Sequence, residues 1–271
     1  MVARMKRLHA VFIALTASTL ASCSSTPQRE TAAIPKPVQA APVQVDPDQA
    51  LLAKLQRLAP TADPGVLALA VEARACAVAS GEVAPETRLA VIDYSRPSTD
   101  KRLWVFDLAN ERLMFNEYVS HGQGSGDNYA TRFSNVEGSF ATSLGLYRTA
   151  ETYYGSNGYS MRMDGLDAGF NDNARMRAIV MHGAWYANPD LIQRQGRLGR
   201  SQGCPALREG IARQVIDSLK GDQLVFSYAD DAPWLERSRQ FGCRGKSARQ
   251  VLASARAVRN GSLPVMATAV P

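Results

Sequence analysis

The sequence predicts a mainly β domain with a few helices, preceded by a short helical element. Three observations lead there. Between Thr87 and Tyr228 the apolar residues fall into short runs rich in Val, Ile, Phe, Trp and Tyr, not into long stripes of helical period. Glycine-rich loops such as HGQGSGDNY punctuate those runs. One clearly helical segment interrupts them, late in the chain, so strands and helices do not alternate as they do in a parallel α/β sheet. About 140 residues are enough for one domain with a real core.

Residues 1–22 carry a short basic region, Arg4, Lys6 and Arg7, followed by the apolar run LHAVFIALTASTL. A run of this length is too short to span a bilayer comfortably and reads as an export signal. Leu20-Ala21-Ser22-Cys23 resembles a bacterial lipobox, whose cysteine is lipidated and becomes the new N-terminus. The alternative is an ordinary signal peptide cut nearby. The lipoprotein is favoured because all four positions fit and the chain turns polar at once. Ser24, where an Asp would favour retention at the inner membrane, points to the outer membrane. The expectation is a lipid-anchored protein on the periplasmic side of the envelope.

The segment 23–49, rich in Pro, Ala, Gln and Val without a strong apolar period, reads as a tether. The span 50–86 is the helical element: Leu51, Leu52, Leu55 and Leu58 fall at helical spacing, and Pro64 opens a second run. The main domain, 87–230, has strand candidates at 88–94, 102–108, 112–120, 144–150, 159–165, 177–183 and 222–228, with one helix in LREGIARQVIDSLKG, stopped by Gly221. The span 231–271 is an extension with a short helix after Gly245 and a loose tail.

Removing the leader deletes three of 31 basic residues and none of 25 acidic ones, so the formal charge falls from +6 to +3. Without basic clusters, that imbalance does not argue for nucleic acid. It is compatible with an anionic polymer such as cell wall.

The chain has three histidines, His9, His121 and His182, and His9 leaves with the leader. Cys204, in RSQGCPALR, has no near Cys or His with which to build a zinc site. His182 lacks the nearby acidic residue that zinc deaminases use. No metal is expected. A thiol nucleophile needs a base. His182 ends an apolar strand, and Gly183 lets the chain turn there. A histidine 22 residues before the cysteine fits neither the papain order nor the caspase gap.

IVMHG followed by GRSQGCPAL resembles the YkuD-type L,D-transpeptidase catalytic domain, whose signature is a strand ending in His-Gly and a later Ser-His-Gly-Cys. The resemblance covers roughly 87–230. GSGDNYATRFSN, SLGLYRT and GFNDNARMRAIVMHG are similar to the branch common in Gram-negative bacteria. It implies a β-sandwich or barrel, Cys204 as nucleophile, His182 as base, and a backbone carbonyl at or near Gly183 orienting that histidine. Ser201 and Gly203 match the signature. Gln202 stands where the family commonly has His, which removes any second-histidine role but leaves an amide able to orient substrate. Pro205 has no N–H, so oxyanion donors must be sought at Cys204 N–H, Gly203 N–H or the Gln202 amide.

The resemblance implies acyl transfer on peptidoglycan stem peptides through a thioester, by a monomer, with no cofactor. A second stem, a protein lysine or water would each resolve the thioester into a different product. The rival class is a non-catalytic wall-binding lipoprotein. It predicts loss of the Cys-His pair, which is intact here.

Other residues carry weaker signals. His121 lines the cleft or sits on a solvent-facing loop. Arg197 and Arg200 flank the nucleophile loop, where they would bind a carboxylate or favour thiolate. Tyr147 and Tyr186 wall a groove or pack in the core. With Cys23 lipidated and Cys204 reactive, Cys76 and Cys243 remain, either as a disulfide, which the oxidising compartment favours, or as two buried thiols.

Overall fold

The computed structural model describes residues 46–259. The expected leader, Cys23, nearly all of the tether and the tail from 260 onward lie outside the described residues. Among the described residues, no helix is long and apolar enough to cross a membrane.

Eight strands form one sheet: β1 (Arg88–Asp93), β2 (Leu103–Asp107), β3 (Arg112–Glu117), β4 (Gly145–Gly155), β5 (Gly158–Gly165), β6 (Val180–Gly183), β7 (Ala206–Leu207) and β8 (Leu224–Tyr228). Their order is β3-β2-β1-β8-β4-β5-β6-β7, with β1–β8 and β6–β7 parallel and the other neighbours antiparallel. The two edges meet. Just beyond β3, Ser120 bridges Ala206 of β7 and Gly122 bridges Ser201, so the sheet curls into a nearly closed barrel. These residues bracket Cys204, which makes the nucleophile loop the seam of the barrel.

The α-helices among the described residues are α1 (Pro47–Leu58), α2 (Pro64–Ala79), α3 (Asp190–Gln195), α4 (Glu209–Leu219), α5 (Ala232–Arg237) and α6 (Ala248–Arg259). β2 and β8 are buried along their whole length, and β1 from its second residue. Helices cover part of the sheet: α2 packs on β1, β4 and β8, and α4 reaches β1, β5 and β6. α2 starts where Asp63 accepts from the N–H groups of Gly65 and Val66 and Pro64 supplies a preset φ. Apart from Glu72 and Arg74 its side chains are apolar or small on every face, as suits a helix enclosed between α1, α6 and the sheet. Arg256 of α6 pairs with Asp63 at 3.0 Å, and a disulfide joins Cys76 of α2 to Cys243 ahead of α6, with Cα atoms 5.6 Å apart. Of the two states expected for these cysteines, the bonded one is found.

Several boundaries differ from the sequence pattern. β4 runs to Gly155, beyond the expected 150, because an irregular register between Thr149 and Thr152 lets it continue into a hairpin closed by Gly155 and Gly158. β6 begins at Val180, not 177, since the chain is still in turns through Ala178, whose φ is 53°. The stretch between His182 and Cys204, for which the pattern names no element, contains α3.

Candidate active site

β6 carries His182 and β7 aligns beside it, with His182 opposite Ala206 and Gly183 opposite Leu207. Cys204 precedes this ladder by two residues. His182 is buried, and its Nδ1 lies 2.9 Å from Gly183 O. A carbonyl only accepts, so Nδ1 carries the proton and Nε2 keeps its lone pair. Nε2 has no hydrogen-bond partner among the described residues. Burial pushes the imidazole pKa down, against a smaller rise from the Gly183 bond, so the ring is neutral and basic at Nε2.

Cys204 does not stand at a rim. It is 8% exposed and packs in the core. Its Sγ accepts from Val180 N–H at 3.4 Å and lies 3.8 Å from Ala178 O. Burial raises the thiol pKa, while the Val180 N–H and the charge of Arg177 oppose the rise. No hydrogen bond joins Sγ to His182 among the described residues. At rest the pair is therefore a thiol beside a neutral imidazole, not the thiolate–imidazolium pair that a low thiol pKa requires.

The loop around Cys204 is fixed by its own bonds. Ser201 Oγ donates to Cys204 O at 2.6 Å and accepts from Gly203 N–H at 3.1 Å. Ser201 N–H donates to His121 O, and Gln123 N–H donates to Ser201 O. Gly203 has φ +118°, and a β-carbon there would meet Ala141 O at 2.8 Å, so glycine is required. Gly203 N–H is thus taken by Ser201 and drops out of the candidate oxyanion donors. The Cys204 N–H and the amide of exposed Gln202 remain unpaired among the described residues.

His121 is neither cleft-lining nor solvent-facing. It is fully buried, with Nδ1 accepting from Arg102 Nη2 at 2.8 Å. Desolvation and the adjacent guanidinium hold its pKa down to about 3. Its contribution to the loop is the carbonyl that receives Ser201 N–H. Arg200 binds Gly126 O and Asp127, and Arg197 binds Leu198 O, so both arginines tie down loops. Tyr147 is a core residue whose hydroxyl donates to Ser143 O at 2.9 Å. Tyr186 is half-buried, edge-on to the His182 ring at 6.4 Å between centroids.

One charged neighbour was absent from the sequence-based candidates. Arg177, five residues before His182, is the cation that acts on Cys204. The available signal was its position in the turn leading into the histidine strand, in a stretch quoted above for other reasons.

Comparison with known proteins bears on this arrangement. The L,D-transpeptidase catalytic domain model matches residues 58–228. No curated protein matches the chain. Among solved structures, an L,D-transpeptidase from Mycobacterium smegmatis is 14% identical with a TM-score of 0.31, covering 54% of this chain and 59% of that one. One from Mycobacterium tuberculosis is 13% identical with a TM-score of 0.32, covering 54% and 58%. One from Stackebrandtia nassauensis is 14% identical with a TM-score of 0.32, covering 68% and 79%. The chain therefore spans less than two thirds of the length of either mycobacterial protein. The family match extends over well more than half of the 271 residues and takes in α2, all eight strands, His182 and Cys204, and the chain belongs to the L,D-transpeptidase catalytic domain family.

Proposed function

We propose that the protein is a murein L,D-transpeptidase in which Cys204 is the nucleophile and His182 the base. The observation that carries this reading is the tautomer of His182. Nδ1–H is held by Gly183 O and the Nε2 lone pair is left free, on a strand laddered to the one that follows Cys204. Cys204 Sγ attacks the carbonyl of the L-centre of a diamino acid in a peptidoglycan stem as His182 Nε2 takes the thiol proton. The C–N bond to the following D-amino acid breaks, and its nitrogen leaves with the proton from His182. The amine of an acceptor then attacks the thioester, His182 takes its proton, and the thiol returns as the new amide forms. The developing oxyanion is met by Cys204 N–H and the Gln202 amide. Because burial favours the neutral thiol, the proton passes to His182 as Sγ attacks.

The protein acts at the periplasmic side of the envelope, held by a lipid on Cys23 and a tether that reaches the peptidoglycan. A carbapenem supplies the test, since its lactam carbonyl acylates a nucleophile poised for a stem peptide. Intact mass after incubation with imipenem is expected to rise by one adduct in the wild type and to stay unchanged in C204A. A folded wild type that takes no adduct overturns the assignment in favour of a non-catalytic wall-binding protein.

A further inference from the structure

Arg177 is held by four hydrogen bonds. Nη1 donates to Ser134 O at 2.7 Å and Ser143 Oγ at 3.2 Å, and Nη2 donates to Ala141 O at 2.7 Å and Ser139 Oγ at 3.3 Å. Every acceptor is neutral, and Arg177 enters no ion pair among the described residues. A half-buried guanidinium without a carboxylate is poorly compensated, since neutral acceptors replace water but not a counter-ion. Desolvation accordingly lowers its pKa.

The guanidinium lies against the nucleophile loop. A β-carbon on Gly203 would sit 3.3 Å from Arg177 Nη2 and 2.8 Å from Ala141 O, the carbonyl that Nη2 itself holds. Cys204 is the next residue. The charged or titratable groups that act on the thiol are Arg177 and the phenols of Tyr94 and Tyr186; the phenol of Tyr147 faces Arg177, and neutral His182 stands on β6. Burial keeps all three phenols protonated at neutral pH. Of this set, Arg177 is the cation, and the Cys204 thiol is the neighbour that can become its anion.

We propose that Arg177 is a positioning residue that supplies a fixed counter-charge to the Cys204 thiolate while anchoring the 134–143 segment against the nucleophile loop. It divides the work with His182: the imidazole moves the proton, and the guanidinium makes the sulfur anion tolerable in a buried site. The proposal rests on Cys204 being the nucleophile.

The test is the pH profile of Cys204 alkylation by iodoacetamide, read by mass, in four variants checked for folding by circular dichroism. R177Q removes the charge. S139D keeps the guanidinium and sets a competing carboxylate beside Nη2, which covers the case that R177Q does not fold. Both are expected to raise the midpoint by about one pH unit or more, which slows alkylation about tenfold below the midpoint. R177K, which keeps charge but loses bonds, and S139A, which loses one bond, are expected to hold the wild-type midpoint even where they melt earlier. Wild-type profiles in folded R177Q or S139D overturn the proposal, as does an equal shift in R177K and R177Q. A wild type with the expected profile but no imipenem adduct refutes acyl transfer and leaves the counter-charge standing. Normal adduct formation in R177Q with an unmoved midpoint does the reverse.

Discussion

The Cys204 sulfur packs among core residues as well as facing its proposed chemistry, and the two roles separate by substitution. C204A is expected to abolish imipenem acylation and to cost about 1 kcal/mol in urea unfolding, since deleting a buried sulfur leaves a small cavity. H182A should slow acylation by roughly 10²- to 10⁴-fold, the usual contribution of a general base. His121 belongs to a different ledger. Its folded pKa of about 3 lies below the ordinary 6.5. Between those values the unfolded chain binds a proton that the folded chain refuses, so this residue's contribution to stability is lost as pH falls. The stability gap between wild type and H121Q should therefore narrow by about 1.4 kcal/mol per pH unit on acidification through that window. A gap independent of pH in parallel urea titrations would show that His121 is protonated in the fold.

At the scale of elements, the disulfide clamps the largely apolar α2 to the segment that delivers α6, across a sequence separation of 167. Closing so long a loop restricts the unfolded chain, and removing the bond by C76S/C243S should cost roughly 2–5 kcal/mol. The melting temperature should fall in the double variant and under reductant, while imipenem acylation at low temperature persists, because α2 and α6 lie outside the Cys204 loop. The strand–loop pattern was enough to read the β domain from the sequence, and the His-Gly and Gly-Cys motifs to single out His182 and Cys204 as its candidate pair. β7 was not legible, since two residues have no period and become a strand through their ladder with β6. The continuation of β4 past Thr149 depends on an irregular register that pattern cannot anticipate. Arg177 escaped notice because its role exists once the 134–143 segment folds over it. Arg197 and Arg200 drew attention by sequence proximity, and the fold turned both toward Asp127.

At the scale of the whole molecule, lipidation at Cys23 would set where a domain of this kind can act. Wild-type protein expressed in a Gram-negative host should pellet with membranes and partition into detergent, and C23S should be released or mislocalised. A wild type recovered soluble and cut at another residue would remove the anchor from the account. The closure of the barrel has a dynamic corollary. β1 and β8 are held by a continuous ladder, whereas the two sheet edges meet through isolated bridges at Ser120–Ala206 and Gly122–Ser201. Opening that junction breaks three backbone hydrogen bonds, Ser120 N–H to Ala206 O, Ser201 N–H to His121 O and Gln123 N–H to Ser201 O, without unzipping a strand ladder, so it is expected toward the low-energy end of the native fluctuations. Amide hydrogens of Ser120, Gln123 and Ser201 should exchange with deuterium well before those of β1 and β8. If these openings also admit the substrate, covalent occupancy of Cys204 will slow exchange at the three junction amides, and mass spectrometry of peptic fragments will record acylation as a tightening of the barrel.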